Sequence, residues 1–268
     1  MTKAFVVNLD RSTYRRDFMA TQLQKHGIEY EFVSAFDARR LDARDMTSVN
    51  ANSIRGGPMR PGEIACTRSH ADACVALAKQ AEHQFGIILE DDIVIGQALA
   101  AVIKQLERIQ SDGDVTLLST SVFRHVDLKM ESRLGSAHEL RVPDPLADTW
   151  GTLGYFLSKT TAQRLQEAML PVRARADDWL SYVQSGAIKR VFVVFPFPIL
   201  HAEFNTDVKK FDAQSAAFNR GGISLFIHTN RIFPAYQFAL LIRRWHAEKR
   251  QRRNLTLDGK AIGRTYSL

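Results

Sequence analysis

Hydrophobic and polar positions at the start of the chain follow two periods in turn. Residues 4–9 (Ala-Phe-Val-Val-Asn-Leu) are apolar and partly β-branched, as a buried strand is, and Asp10-Arg11-Ser12 turns the chain into a helix over 13–25. His26-Gly27 stops that helix, because Gly27 accepts left-handed backbone after the last turn. Residues 30–35 alternate as a second strand ending near Asp37. This βαβ unit sets Asn8, Asp10 and Asp37 at neighbouring carboxyl ends of strands, the edge where open α/β sheets bind nucleotides. Taken alone, Asp10 reads first as the cap of the helix that follows it.

Residues 41–60 lack apolar periodicity and lead into Gly56-Gly57-Pro58-Met59-Arg60-Pro61-Gly62, a loop signal. A helix over 63–83 follows, with Ile64, Cys66, His70, Cys74 and Leu77 at three- and four-residue spacing; a histidine on that stripe reads first as core. Residues 85–89 (Phe-Gly-Ile-Ile-Leu) form a buried strand that runs straight into Glu90-Asp91-Asp92. Adjacent carboxylates raise one another's pKa and cost desolvation, so the cluster is either a wet turn or a cation site. On extended backbone Glu90 and Asp92 point to one side and Asp91 to the other. An acid-x-acid pair on one face suits oxygen-preferring ions such as Mg²⁺ or Mn²⁺.

Downstream, the pattern predicts a helix over 97–109, a strand over 114–119, and a polar, irregular segment over 124–146 with at most short edge strands. Residues 150–158 alternate glycine with bulky residues, so backbone or ligand comes close at Gly151 and Gly154. Ser158 caps a helix over 159–168, and Asp177-Asp178 opens another, where acids often serve only as caps. A strand over 191–196 precedes Pro198-Ile199-Leu200-His201 and a polar turn at 205–207. Strands alternating with helices define an α/β class, and no glycine-rich fingerprint follows the first strand, which disfavours a dinucleotide cofactor.

Composition adds a division. The 268 residues, 45% hydrophobic, suffice for one large domain with an appendage. Of the net charge of +7, residues 220–268 carry ten Lys or Arg against Glu248 and Asp258, so the first 219 residues sum to −1. A domain over 1–219 and a basic, apolar helical appendage over 220–268 are the expectation. Aromatic and aliphatic bulk at 225–242 beside basic residues up to 253 suits an anionic membrane surface. Without aromatic–basic interleaving or a recognised motif, nucleic acid is not an expected partner. Cys66 and Cys74 lie ~12 Å apart along one helix and cannot pair, which favours a reducing compartment. Residues 4–9 are too short for a signal-peptide core, and no apolar window reaches the ~18 residues of a membrane span. The expected location is cytoplasmic, peripheral on the inner membrane through the tail.

Four separated segments resemble glycosyltransferase family 25 in order and spacing: Val6-Val7-Asn8-Leu9-Asp10-Arg11 with Arg15-Arg16, Phe32 to Ala38, Gly62 to His70, and Ile88-Leu89-Glu90-Asp91-Asp92. That group includes lipooligosaccharide galactosyltransferases and resembles collagen galactosyltransferase domains. Weaker matches continue through Gly154 to Ser158, Asp177-Asp178 and Thr206-Asp207-Val208; Ala65, Arg68 and Cys74 depart from the pattern.

The resemblance implies a GT-A-like (Rossmann-like), mostly parallel sheet flanked by helices. It also implies a UDP-sugar donor, a divalent metal (Mn²⁺ or Mg²⁺) on the acidic motif, and transfer of a hexose, galactose by analogy, with inversion to a glycan or glycolipid hydroxyl. On that reading Asp92 is the direct metal ligand, Glu90 its partner toward metal or ribose, and Asp91 an assistant or packing group, with His201 completing the shell. Asn8, Asp10, Arg11 and Asp37 line the uridine pocket, and Ser69 and His70 become donor contacts. Asp177 or Asp178 is the base. Two other classes stay open: a silent carbohydrate-binding relative and a metal-dependent nucleotidyltransferase.

Overall fold

Strand β1 (Lys3–Asn8) leads through a tight turn into helix α1 (Thr13–Lys25), and β2 (Tyr30–Ser34) returns beside β1 in parallel register, Asn8 opposite Ser34. The computed structural model describes residues 2–42, 46, 58–122, 124–202 and 254–261. The N-cap of α1 is Ser12, and Asp10 turns away to accept a 2.8 Å hydrogen bond from the Ser34 hydroxyl.

Helix α2 (Pro61–Ala78) starts with proline in its first turn, where the missing N–H has no partner to lose, and the Glu63 carboxylate accepts from the Arg60 N–H at 2.7 Å. It ends five residues before the expected point, because from Lys79 to Gln84 only Ala81 is apolar and nothing holds another turn on the core. Strand β3 (Phe85–Glu90) follows, then β4 (Ile93–Ile95) and helix α3 (Leu99–Ile109).

Next come β5 (Asp114–Leu117), β6 (Ser121–Val122), the long hairpin β7 (Val126–Leu134) and β8 (His138–Asp144), then β9 (Thr149–Trp150) and β10 (Gly154–Ser158). Helices α4 (Lys159–Met169) and α5 (Trp179–Gln184), strands β11 (Arg190–Phe195) and β12 (Ile199–His201), and the pair β13 (Leu255–Leu257) and β14 (Lys260–Ala261) complete the described chain. Ser158 caps α4 as expected, its hydroxyl accepting from the Thr161 N–H at 3.0 Å.

The central sheet runs β14-β13-β7-β8-β11-β5-β10-β3-β1-β2. Only β10, β8 and β14 oppose the common direction, so the sheet is mostly parallel, with β10 inserted antiparallel between β3 and β5. Period-two alternation splits its core. Phe5, Val7, Ile88, Tyr155 and Leu157 face α2, α4 and α5, whereas Ala4, Val6, Ile87, Leu89 and Phe156 face α1 and α3. Helices therefore flank both faces, the expected α/β architecture.

Two expectations fail. Segment 124–146 is no irregular connection but a two-stranded part of the main sheet; its outer positions are charged, and a register shift between Met130 and Ser132 breaks the alternation. Residues 254–261, expected in a helical appendage, instead add β13 parallel to β7, with Leu255 buried and the Thr256 hydroxyl donating to Asp127 at 2.6 Å. Most of the loop 41–60, the turn 205–207, the domain boundary near 220 and the membrane-binding segment 220–253 lie outside the described residues. No helix among the described residues is long and apolar enough to cross a membrane.

Candidate active site

Parallel strands β1, β2 and β3 end together, and antiparallel β10 begins at the same edge, with Gly154 opposite Leu89. The acidic run therefore sits at the carboxyl edge of the sheet, as the sequence predicts. Glu90 is the last residue of β3, and the chain bends at Asp91 and Asp92, so the extended alternation stops there. In consequence the three carboxylates take three sets of partners.

Glu90 keeps the parity of Ile88 and turns toward α2. Its Oε1 accepts from the Thr152 hydroxyl at 2.5 Å and lies 3.7 Å from His70 Nε2. Burial alone would raise the Glu90 carboxyl, but the His70 ring, the Thr152 hydroxyl and the charge of His201 together hold it below its ordinary value. Asp91 turns the other way, accepting from Asn8 Nδ2 at 2.8 Å and Arg15 at 2.7 Å. Asp92 has its Oδ2 3.6 Å from His201 Nε2 and 3.5 Å from Arg15. The ladder β4–β12 places that histidine, with His201 opposite Ile93 and the Ala202 N–H donating to the Asp92 carbonyl at 2.6 Å. Glu90 and Asp92 thus do not share one set of contacts, because the shared face required an extended backbone that ends at Glu90.

The Asp92–His201 pair fits a divalent ion: one carboxylate and one imidazole at the sheet edge, 3.6 Å apart, close to the separation of two ligands on one ion. Arg15 supplies positive charge to both Asp91 and Asp92. Its place in the first turns of α1, facing the strand edge, is the sequence signal that points to this role.

The second acidic pair divides as well. Asp178 is 2% exposed and caps α5, with its two oxygens accepting from the Ser181 N–H and hydroxyl at 3.4 and 2.7 Å. Asp177 faces the acidic edge and accepts from the Gly151 N–H at 3.1 Å. Burial raises its carboxyl above 3.8, the negative charge of Glu90 adds to that, and the Gly151 N–H opposes it. Gly151 takes φ 109°, a conformation suited to glycine, and so presents that N–H.

On the β1–β2 side, Asp37 accepts from Arg39 at 2.9 Å and pairs with Arg11; the Arg39 hydrogen bonds, ahead of Arg11, bring its carboxyl down to about 2. Asp10, Arg11 and Asp37 thus lie together at the strand ends. Ser69 does not face this edge: its hydroxyl donates to the Ala65 carbonyl at 2.7 Å and accepts from the Phe36 N–H at 2.8 Å, tying α2 to the end of β2. His70 is 1% exposed, with Nδ1 3.1 Å from the Tyr155 hydroxyl, so it reaches the edge only through Glu90. Cys66 completes that corner: its Sγ, a His70 nitrogen and a Glu90 oxygen all lie within 4.8 Å of one another. In the sequence a helical cysteine on an apolar stripe looks like packing; the i, i+4 spacing of Cys66 to His70 is the available signal.

The chain is 26% identical over 184 residues to human "Procollagen galactosyltransferase 2", which is 63% of this chain and 28% of that protein. To "Procollagen galactosyltransferase 1" of Danio rerio it is 25% identical over 186 residues, 63% of this chain and 30% of that protein. To "Lacto-N-neotetraose biosynthesis glycosyltransferase LgtB" of Neisseria meningitidis serogroup B it is 28% identical over 167 residues, 58% of this chain and 57% of that protein. The chain therefore spans less than a third of the procollagen enzymes it matches. The profile described as "Glycosyltransferase family 25 (LPS biosynthesis protein)" matches residues 1–180, and the chain belongs to glycosyltransferase family 25.

Proposed function

We propose that this edge transfers a hexose, galactose by analogy with the relatives, from a UDP-sugar to a hydroxyl of a lipooligosaccharide or other glycan. The observation that carries the reading is the acidic run at the carboxyl edge of a family 25 sheet, where Asp92 Oδ2 lies 3.6 Å from His201 Nε2 and Asp177 is held by the Gly151 N–H; at that edge the surroundings hold the Glu90 carboxyl down and burial raises that of Asp177. Environments that separate two carboxylates in this way divide their roles, one staying ionised and one exchanging protons.

In a single displacement the acceptor oxygen bonds to the anomeric carbon as the bond to the diphosphate oxygen breaks, and the hydroxyl proton passes to a base. Asp177 takes that proton; its raised carboxyl makes it a stronger base than an ordinary aspartate, and the Gly151 N–H holds its Oδ2. Attack on the face opposite the leaving group inverts the anomeric centre. Asp92 and His201 would hold Mn²⁺ or Mg²⁺, which when bound supplies charge to neutralise the departing diphosphate. Arg15 holds Asp91 and Asp92 in place, and Asn8, Asp10, Arg11 and Asp37 frame the nucleoside.

Calorimetry of UDP-galactose, UDP-glucose and CTP, each with and without Mn²⁺, tests the reading. Mn²⁺-dependent binding of a UDP-sugar is the expected result. Binding of none of the three, or preference for CTP, overturns it.

A further inference from the structure

Sugar transfer as proposed gives Cys66 and His70 no task, yet the corner they form with Glu90 between α2 and the end of β3 is built. Cys66 and His70 stand one helical turn apart on α2 and project to the same side, and Glu90 closes the cluster from β3, the three ligand atoms lying within 4.8 Å of one another. The His70 ring is 1% exposed, and its Nε2, 3.7 Å from Glu90 Oε1, has no hydrogen-bond partner among the described residues. A buried imidazole nitrogen left in that state costs free energy unless something binds it. Its other nitrogen is committed: Nδ1 lies 3.1 Å from the Tyr155 hydroxyl, which in turn reaches Cys74 Sγ at 4.0 Å. With an ion bound, Nδ1–H would donate to Tyr155 and the Nε2 lone pair would turn to the ion in place of its contact with Glu90, the arrangement that orients metal-bound histidines.

The geometry points to a second metal site, in which Cys66, His70 and Glu90 bind one Zn²⁺ ion. The ligand chemistry separates it from the Asp92–His201 edge. Thiolate, imidazole and carboxylate together suit Zn²⁺, and thiolate is a poor ligand for Mn²⁺ or Mg²⁺. Ligands at Zn²⁺ bond lengths of about 2.0–2.3 Å in a tetrahedron sit about 3.5 Å apart, and the His70–Glu90 separation of 3.7 Å already matches. Binding replaces the Cys66 S–H bond by an S–Zn bond and releases the proton to solvent; no electrons move. A bound ion would pin the first half of α2 to the end of β3 and offset the charge of Glu90 beside Asp177, leaving a fourth position open.

The test uses tag-free, chelator-treated full chain titrated with Zn²⁺, and with Co²⁺ as a visible substitute. One equivalent of Zn²⁺ should bind and raise the melting temperature, and Co²⁺ should give thiolate charge-transfer absorption in the near ultraviolet. Cys66→Ser should remove that absorption, and Tyr155→Phe, which frees His70 Nδ1, should weaken Zn²⁺ binding about 10–100-fold. Asp92→Ala should leave Zn²⁺ binding unchanged, which separates this site from the donor metal. The inference is overturned by wild-type chain that binds no Zn²⁺, by Co²⁺ bound without charge transfer, or by undiminished Zn²⁺ affinity in Cys66→Ser. Should Cys66→Ser fail to fold, the wild-type Co²⁺ spectrum decides alone.

Discussion

Replacing Asp177 with asparagine separates chemistry from folding at this site. The carboxylate accepts from the Gly151 N–H at 3.1 Å, and an asparagine carbonyl accepts the same bond. General-base catalysis contributes about 10²–10⁴-fold, or roughly 3–5 kcal/mol of barrier at 1.36 kcal/mol per decade. Asp177→Asn should therefore lower kcat with UDP-galactose and acceptor by about 10²–10⁴-fold, with donor KM near the wild-type value. The wild-type rate should fall as pH drops through the Asp177 carboxyl, because the base must be ionised, and that limb should lie above the ordinary aspartate range since burial raises the group.

The stability sign follows from the same shift. A raised carboxyl means the folded chain binds the proton more tightly than the unfolded chain, so this group's contribution to stability falls as pH rises from 3.8 through the folded value. Asparagine removes that dependence. The variant should be as stable at neutral pH as the parent, within the roughly 1 kcal/mol of one hydrogen bond. Near-native kcat in a folded Asp177→Asn chain would refute the assignment. A loss of several kcal/mol in urea denaturation would show a structural role instead.

Asp178→Ala, by contrast, should lose about 0.5–2 kcal/mol through the α5 cap, read as a lower melting temperature, with turnover per folded molecule unchanged. Gly154→Ala would bring a methyl within 2.5 Å of Ile199 Cδ1 and 2.8 Å of Leu89 Cδ2, and should cost about 1–3 kcal/mol in urea denaturation by forcing those two side-chain ends to repack. Asp37, held down to about 2 by Arg39 and Arg11, contributes stability present above its unfolded value of 3.8 and lost as pH falls toward 2. Asp37→Asn should flatten that acid limb by at most about 1 kcal/mol, an effect that shrinks at high salt because Arg39 is exposed; an unchanged limb would contradict the pairing.

Much of the fold was legible because its driving pattern is local. Strands β1, β2 and β3 are apolar runs that end on polar residues, and α4 announces itself through Ser158. Hairpin β7–β8 was not legible: charged residues are interspersed along both strands, and its bulge disrupts the remaining alternation. Strand β13 depends on a partner more than a hundred residues away, which no window of sequence can show. The acids of the site were legible for the same local reason, three carboxylates after a buried strand. Their division was not, since it depends on a bend at Asp91 and on groups brought from α1, α2 and β12. Asp177 and Asp178 are neighbours with different contacts, the Gly151 N–H for one and the α5 cap on Ser181 for the other, set by which side of the α5 start each one faces.

The most direct test of the account is release of UDP from UDP-galactose in the presence of Mn²⁺, compared between the wild-type chain and Asp92→Ala. Asp92 reaches His201 at 3.6 Å and anchors the proposed ion, so the account predicts Mn²⁺-dependent turnover in the wild type and its loss, with a retained fold, in the variant. Equal turnover by the two folded proteins would contradict it.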